Sequence, residues 1–118
     1  MSKVKFHFRK SPQIHLPMYE YWLCFVETNN FSAAAGRLGL HFKRSHDDAQ
    51  ALTFVAADAT HGYVFLKKNA PVNHLVHECW HIVNNIFTER GIEFEDEVVA
   101  YHLDYLVKVG AHFYGRRK

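Results

Sequence analysis

The chain has 118 residues, of which 48% are hydrophobic and 15% aromatic, so it can bury one compact core. Its formal net charge of +2 is near neutral and argues against a strongly charged partner such as nucleic acid. Two cysteines are too few for a disulfide framework, and no apolar run is long enough to span a membrane. We therefore expect a single domain over residues 1–118, located in the reducing cytoplasm.

The first two thirds of the chain predict strands with one short helix. Residues 4–8 alternate between apolar and polar side chains, and residues 19–26 are apolar on both faces. Ser32 is the predicted cap of a short helix over residues 33–38, and residues 41–50 resemble a surface loop. Residues 52–57 and 63–67 predict two strands of a hairpin, because the loop between them contains a glycine.

Two long helices follow the hairpin. The first should run from about residue 70 to 90, with Asn69 as its cap and Gly91 as its stop. The second should run from about residue 96 to 109 and end at Gly110. Together these elements predict an α+β fold, in which a small sheet of three or four strands packs on the first helix and the second helix lies alongside.

The first long helix has two different faces on a wheel of 100° per residue. The predicted apolar face consists of Val72, Val76, Cys79, Val83, Ile86 and Phe87. The predicted polar face consists of His74, His77, Glu78, His81, Asn84 and Asn85. Residues 77–81 read HECWH, which is an HExxH motif, and residues four apart on a helix lie on the same face.

Two imidazoles at this spacing can bind one metal ion, and the intervening glutamate can then handle a proton beside it. The pattern is the core of a zinc peptidase site, so we predict that His77 and His81 bind Zn²⁺ and that Glu78 is the general base. Catalytic zinc usually takes three protein ligands and keeps a fourth position for water. Glu97 is the predicted third ligand, because it lies on the polar stripe of the next helix, and Asp104 is the alternative.

The position of Glu97 imposes a condition on the link between the helices. In a tight hairpin that turns at Gly91, Glu97 would lie too close to the turn to be level with His81. If residues 92–95 are extended, they can run back along the first helix, and the second helix can then begin near His81. Either Tyr101 or His74 is the predicted hydrogen-bond donor to the oxyanion of the reaction.

Residues 69 to about 109, about a third of the chain, resemble small HExxH proteins encoded by tailed bacteriophages and prophages. The matching residues are His77-Glu78, His81, Val83, Ile86-Phe87, Arg90-Gly91-Ile92, Asp96-Glu97, Ala100-Tyr101 and Tyr105. The resemblance implies a zincin-like domain of the gluzincin kind. It also implies a phage-encoded metallopeptidase in the host cytoplasm, acting on a peptide or on a host or phage protein. Thermolysin-like enzymes carry an acidic residue four positions after the ligand glutamate, whereas this chain has Tyr101 there.

Two other functions stay open at this point. The same scaffold could bind a host protein through its cleft without catalysis, with the metal structural or absent. In addition, residues 25–38 resemble the first part of a LysR-type winged helix-turn-helix, which would make the chain a DNA-binding protein. Binding to DNA would weaken with salt and would ignore metal chelators.

Overall fold

The computed structural model describes residues 5–40 and 50–115. Five strands form one mixed sheet, and these are β1 (Phe8–Lys10), β2 (Ile14–Leu16), β3 (Tyr21–Thr28), β4 (Ala51–Val55) and β5 (His61–Leu66). The strand order is β1-β3-β5-β4, and β2 also pairs with β3. Only the β3–β5 pairing is parallel among those described, and β4 is an antiparallel strand at one edge.

The α+β class is confirmed, but the number of strands predicted was too low. The prediction missed β2, which has three residues and lies between Pro12 and Pro17, so it is too short to show a period. The first strand begins at Phe8 rather than at residue 4, which lies outside the described residues. The strand over residues 19–26 and the hairpin are confirmed as β3 and as β4 with β5.

A short helix, α1 (Phe31–Arg37), follows β3 as predicted, but its cap is not Ser32. The side chain of Asn30 accepts a hydrogen bond from the Ala33 amide at 2.9 Å, so the helix begins two residues earlier than expected. Because the preceding residues 25–26 form part of a buried strand, they cannot be a helix of a helix-turn-helix. The predicted loop at residues 41–50 lies outside the described residues, apart from its last position.

The two long helices are α2 (Val72–Arg90) and α3 (Asp96–Tyr114). Pro71, not Asn69, occupies the cap position of α2, and Gly91 ends it with a φ of 66°, as predicted. The predicted stop of α3 at Gly110 is wrong, since the helix continues to Gly115, where φ is 80°. Gly110 is buried within the helix instead.

The sheet carries apolar clusters on both faces. On one face, α2 and α3 cover the larger cluster, which includes Leu23, Val64, Leu75, Ile82 and Leu106. On the other face, α1 covers a smaller cluster that includes Cys24, Val26, Phe31, Ala34 and Phe65. None of the helices in the described part of the chain combines the length and apolarity that crossing a bilayer requires.

The link between α2 and α3 returns along α2, as the geometry of the predicted site required. The Ile92 amide donates to the Phe87 carbonyl at 2.9 Å. The Phe94 ring then lies 5.4 Å from the Phe87 ring and 6.0 Å from the Trp80 ring, measured between centroids. Since Trp80 is adjacent to His81 in the motif, this segment brings the start of α3 back toward the motif.

Candidate metal centre

The two histidines of the motif converge on the exposed side of α2. The Nε2 atoms of His77 and His81 are 3.2 Å apart, and their rings meet edge to face at 4.8 Å between centroids. Two nitrogens that each lie about 2.0–2.1 Å from a tetrahedral zinc ion are about 3.3 Å apart. The separation of the two imidazoles therefore fits two ligands of one zinc ion.

Glu78 points away from the open side of the helix, toward β4. Its side chain is buried, and its Oε1 accepts a hydrogen bond of 2.6 Å from Thr53 Oγ1. The same hydroxyl lies 3.2 Å from the Glu78 carbonyl oxygen. The predicted polar face of α2 therefore has to be corrected for Glu78, which lies at the border between the helix and the sheet.

The error arises from the direction in which α2 packs. The buried side of α2 consists of Leu75, Glu78, Cys79, Ile82, Val83, Ile86 and Phe87. Val72 and Val76, which were placed on the apolar face, are 41% and 38% exposed. The true buried side is thus rotated toward Leu75 and Ile82, and Glu78 falls at its margin.

A cleft of about 480 Å³ separates α2 from the edge strand β4. Its lining includes Thr53, Glu78 and His81, together with the polar residues Asn84, Asn85, Thr88 and Glu89. Within residues 5–40 and 50–115, no strand pairs with the outer side of β4. Since β5 lies between β3 and β4, the edge beside the motif is β4.

The remaining predicted ligands are not gathered around the two imidazoles. Glu97 is exposed in the first turn of α3, and Asp104 is exposed two turns later. Among the described residues, no three His, Cys, Asp or Glu side chains form a group that could hold a metal ion. The structure thus brings His77 and His81 together, but brings no third ligand to them from the part of the chain that it describes, and the choice of Glu97 or Asp104 stays a prediction.

The two predicted oxyanion donors have different locations. His74 is half-buried and precedes His77 by three residues on α2, so the two lie on neighbouring positions of one face. Tyr101 is 71% exposed and lines a separate apolar groove of about 290 Å³, between α2, α3 and residues 16–19. The structure therefore does not bring Tyr101 into the cleft that contains Glu78 and His81.

Two further side chains of the motif region have structural roles. Cys79 is fully buried, and burial, helped by the nearby charge of Glu78, raises the pKa of its thiol to about 12. It is therefore a neutral thiol packed in the core. His102, which the sequence places on the apolar side of α3, is hydrogen-bonded through both ring nitrogens, to the Tyr19 hydroxyl at 2.6 Å and to the Val98 carbonyl at 2.8 Å.

Sequence reasoning missed Thr53 and the clamp formed by Arg90. One side of β4 faces the helices and consists of Ala51, Thr53 and Val55. Thr53 is the polar residue of this row, and a polar residue between two apolar ones was the signal in the sequence that could have indicated its role. The Arg90 guanidinium donates to the carbonyls of Tyr19 and Ala59 at 2.8 and 2.9 Å. No local pattern could show this contact, because its acceptors are 71 and 31 residues away.

Comparison of the chain with models of known protein families, with curated proteins and with solved structures finds no match. The function of the chain is therefore inferred from the chemistry and geometry of the site.

Proposed function

We propose that the chain is a zinc-dependent metallopeptidase that hydrolyses peptide bonds in the cleft between β4 and α2. The observation that carries the proposal is the pair of imidazole nitrogens of His77 and His81, 3.2 Å apart on α2. His81 lines the same cleft as the buried Glu78. These side chains would supply two of the three protein ligands that a catalytic zinc ion usually takes, and a general base on the same helix.

His77 and His81 would hold the zinc ion, with Glu97 or Asp104 as the third protein ligand. Bound zinc would lower the pKa of a water molecule toward about 7 and polarise the scissile carbonyl. Glu78 accepts a proton from the attacking water and delivers it to the amine nitrogen as the carbon–nitrogen bond breaks. His74 is the better placed of the two predicted oxyanion donors, since it is on the same helix face as the ligands.

The cleft suits an extended peptide. Within residues 5–40 and 50–115, β4 is the last strand on its side of the sheet, and an extended peptide could be held along such a strand by strand addition. The opposite wall carries the side-chain amides of Asn84 and Asn85, which can both donate and accept hydrogen bonds. We therefore propose a peptide, or an extended segment of a protein, as the substrate. The resemblance of residues 69 to about 109 to phage-encoded proteins leads us to propose a host or phage protein as the target and the host cytoplasm as the site of action.

The first test measures zinc per chain by plasma mass spectrometry in the native protein and in His77→Ala, His81→Ala and Glu97→Ala. We expect about one zinc ion per native chain and a loss of zinc in all three variants. Zinc retained by Glu97→Ala but lost from Asp104→Ala would identify Asp104 as the third ligand. A native protein that binds no zinc after zinc is added back would contradict the proposal.

The second test separates an enzyme from a protein-binding module on the same scaffold. The probe is a quenched-fluorescent peptide mixture, digested by the zinc-loaded protein. Glu78→Gln should keep the zinc and abolish cleavage, because the amide cannot accept the proton. If neither the native protein nor Glu78→Gln cleaves any peptide while both hold zinc, a binding role is the better account.

A further inference from the structure

We infer that Thr53 is a positioning residue that holds the Glu78 carboxylate in its working orientation, an inference that rests on the proposed peptidase function. Thr53 lies on β4, 25 residues before Glu78, and its hydroxyl is 2.6 Å from Glu78 Oε1. This distance is typical of a hydroxyl that donates to a charged carboxylate.

The Thr53 hydroxyl has one hydrogen, and two acceptor atoms of Glu78 lie near it. The carboxylate oxygen is closer than the Glu78 carbonyl oxygen, at 2.6 Å against 3.2 Å, so the hydrogen points mainly to the carboxylate. The carbonyl distance shows that Thr53 lies beside the backbone of the motif turn as well. A single side chain thus contacts both the acidic group and the turn of α2 that presents it.

The donor is itself held rigidly. Thr53 is opposite Val64 in the β4–β5 ladder, and a β-branched side chain has few rotamers. Glu78 has three side-chain torsions and is 7% exposed, so it needs a fixed polar partner both for its orientation and to offset its desolvation. β4 therefore has two functions at the site, since it forms one wall of the cleft and fixes the proton acceptor within it.

The kinetic test compares Thr53→Val, which removes the hydroxyl at nearly constant size, with Thr53→Ser, which keeps it. In the zinc-loaded protein, with the quenched-fluorescent peptide mixture as substrate, Thr53→Val should lower kcat by about 10- to 100-fold, the usual effect of losing such a supporting hydrogen bond. KM and the zinc content should change little, and Thr53→Ser should recover most of the kcat.

Thr60→Val is the matched control. Thr60 Oγ1 donates to Asp58 Oδ1 at 2.7 Å, a threonine-to-carboxylate bond of nearly the same length in the loop before β5. Its loss should leave kcat unchanged. A Thr53→Val protein that is as active as the native protein, or a Thr53→Ser protein that is as impaired as Thr53→Val, would overturn the inference.

A measurement on the metal-free protein separates this inference from the proposed function. Thr53→Val, Glu78→Ala and the double variant are unfolded in denaturant, and the three shifts in midpoint are compared. If the hydroxyl binds the carboxylate, the shift of the double variant should be smaller than the sum of the single shifts. Additive shifts would overturn the contact. Coupled shifts in a protein that cleaves no peptide would keep the contact, but would overturn both its catalytic role and the peptidase proposal.

Discussion

The thiol of Cys79 lies within the HExxH motif but faces the core. Because burial raises its pKa to about 12, almost none of it is thiolate at neutral pH, and only the thiolate reacts quickly with disulfides. Cys24 is buried as well, and burial also raises the pKa of its thiol. We expect neither cysteine to react with an aromatic disulfide reagent at pH 8 in the folded protein.

The measurement is the absorbance of the aromatic thiolate that the reagent releases, with and without denaturant. Two thiols per chain should react in denaturant and almost none in its absence. Zinc addition should not alter the result, because Cys79 is directed away from the imidazole pair. Rapid reaction of one thiol in the folded protein would contradict the packing of α2 on the sheet.

Glu27 is the other buried carboxylate of the described chain, and it is paired. Burial alone would raise its pKa, but hydrogen bonds from His7 at 2.8 Å and from Arg9 outweigh burial, so the pKa lies below its ordinary value of 4.5. A carboxylate with a lowered folded-state pKa stabilises the fold above its unfolded pKa. That stability is lost as the pH falls through the folded pKa.

We therefore expect Glu27→Gln to lower the free energy of unfolding by about 1.5–3 kcal/mol at pH 7, the usual contribution of hydrogen bonds to a charged group. The difference from the native protein should shrink below pH 4.5 as Glu27 becomes protonated. Denaturant unfolding at a series of pH values measures it. Glu93→Gln, which makes the same change at an exposed position, is the control and should alter the free energy of unfolding little at pH 7. If the difference in free energy of unfolding between Glu27→Gln and the native protein stays constant down to pH 2, Glu27 does not have the lowered pKa.

At the scale of single residues, the sequence predicted that His77 and His81 lie together but not the direction of the Glu78 side chain. His77 and His81 converge because four residues are one turn of helix, which is a local rule. The burial of Glu78 depends instead on the direction in which α2 packs against β4. A helical wheel cannot supply that direction, because Val72 and Val76 are as apolar as the residues that are buried.

At the scale of secondary structure elements, α3 contains glycines with two different structural roles. Gly115 ends the helix in the left-handed conformation, whereas Gly110 is buried inside it. A Cβ atom at Gly110 would be 2.9 Å from Leu75 Cδ1 and 2.9 Å from Phe25 Cε1, so the glycine lets α3 approach α2 and β3 closely. A sequence pattern finds the glycine but cannot distinguish a stop from a close contact.

We expect Gly110→Ala to destabilise the fold by about 1–3 kcal/mol, because overpacking outweighs the better helix propensity of alanine. Gly36→Ala is the matched variant, since Gly36 lies in α1 and a Cβ there would meet nothing within 4 Å. It should be neutral or stabilising by up to about 1 kcal/mol. Thermal unfolding of both variants tests the pair. Equal effects of the two variants would mean that helix propensity, and not packing, determines the change in stability at Gly110.

At the scale of the whole molecule, the topology of the sheet creates the cleft. The parallel pairing of β3 with β5 places β4 at the edge, and the hairpin then aligns β4 beside the motif helix. The hairpin was predictable from its turn, but the neighbour of β5 on its other side was not, because β3 pairs with β5 across about 40 intervening residues. The position of β4 at the edge therefore depends on a long-range pairing that no local pattern shows.

The proposed centre also predicts how the whole fold responds to zinc. Both imidazoles are on α2, so an ion that they share is bound only when this helix is folded. Zinc at about 100 times its dissociation constant should then stabilise the native state by about 2.7 kcal/mol. For a domain of this size, about 4 °C per kcal/mol gives an increase in Tm of about 10 °C. Calorimetry with and without zinc measures the shift.

Three variants show whether this shift comes from the proposed centre. His77→Ala should abolish most of it, because one imidazole cannot replace the pair, whereas Glu78→Gln should preserve it, since Glu78 is not a predicted ligand. His112→Ala, which removes an exposed histidine near the end of α3, should also preserve it. With ten histidines in the chain, nonspecific binding is the main competing explanation. Equal shifts in all four proteins would indicate such binding, and would remove the imidazole pair as the basis of a metal centre.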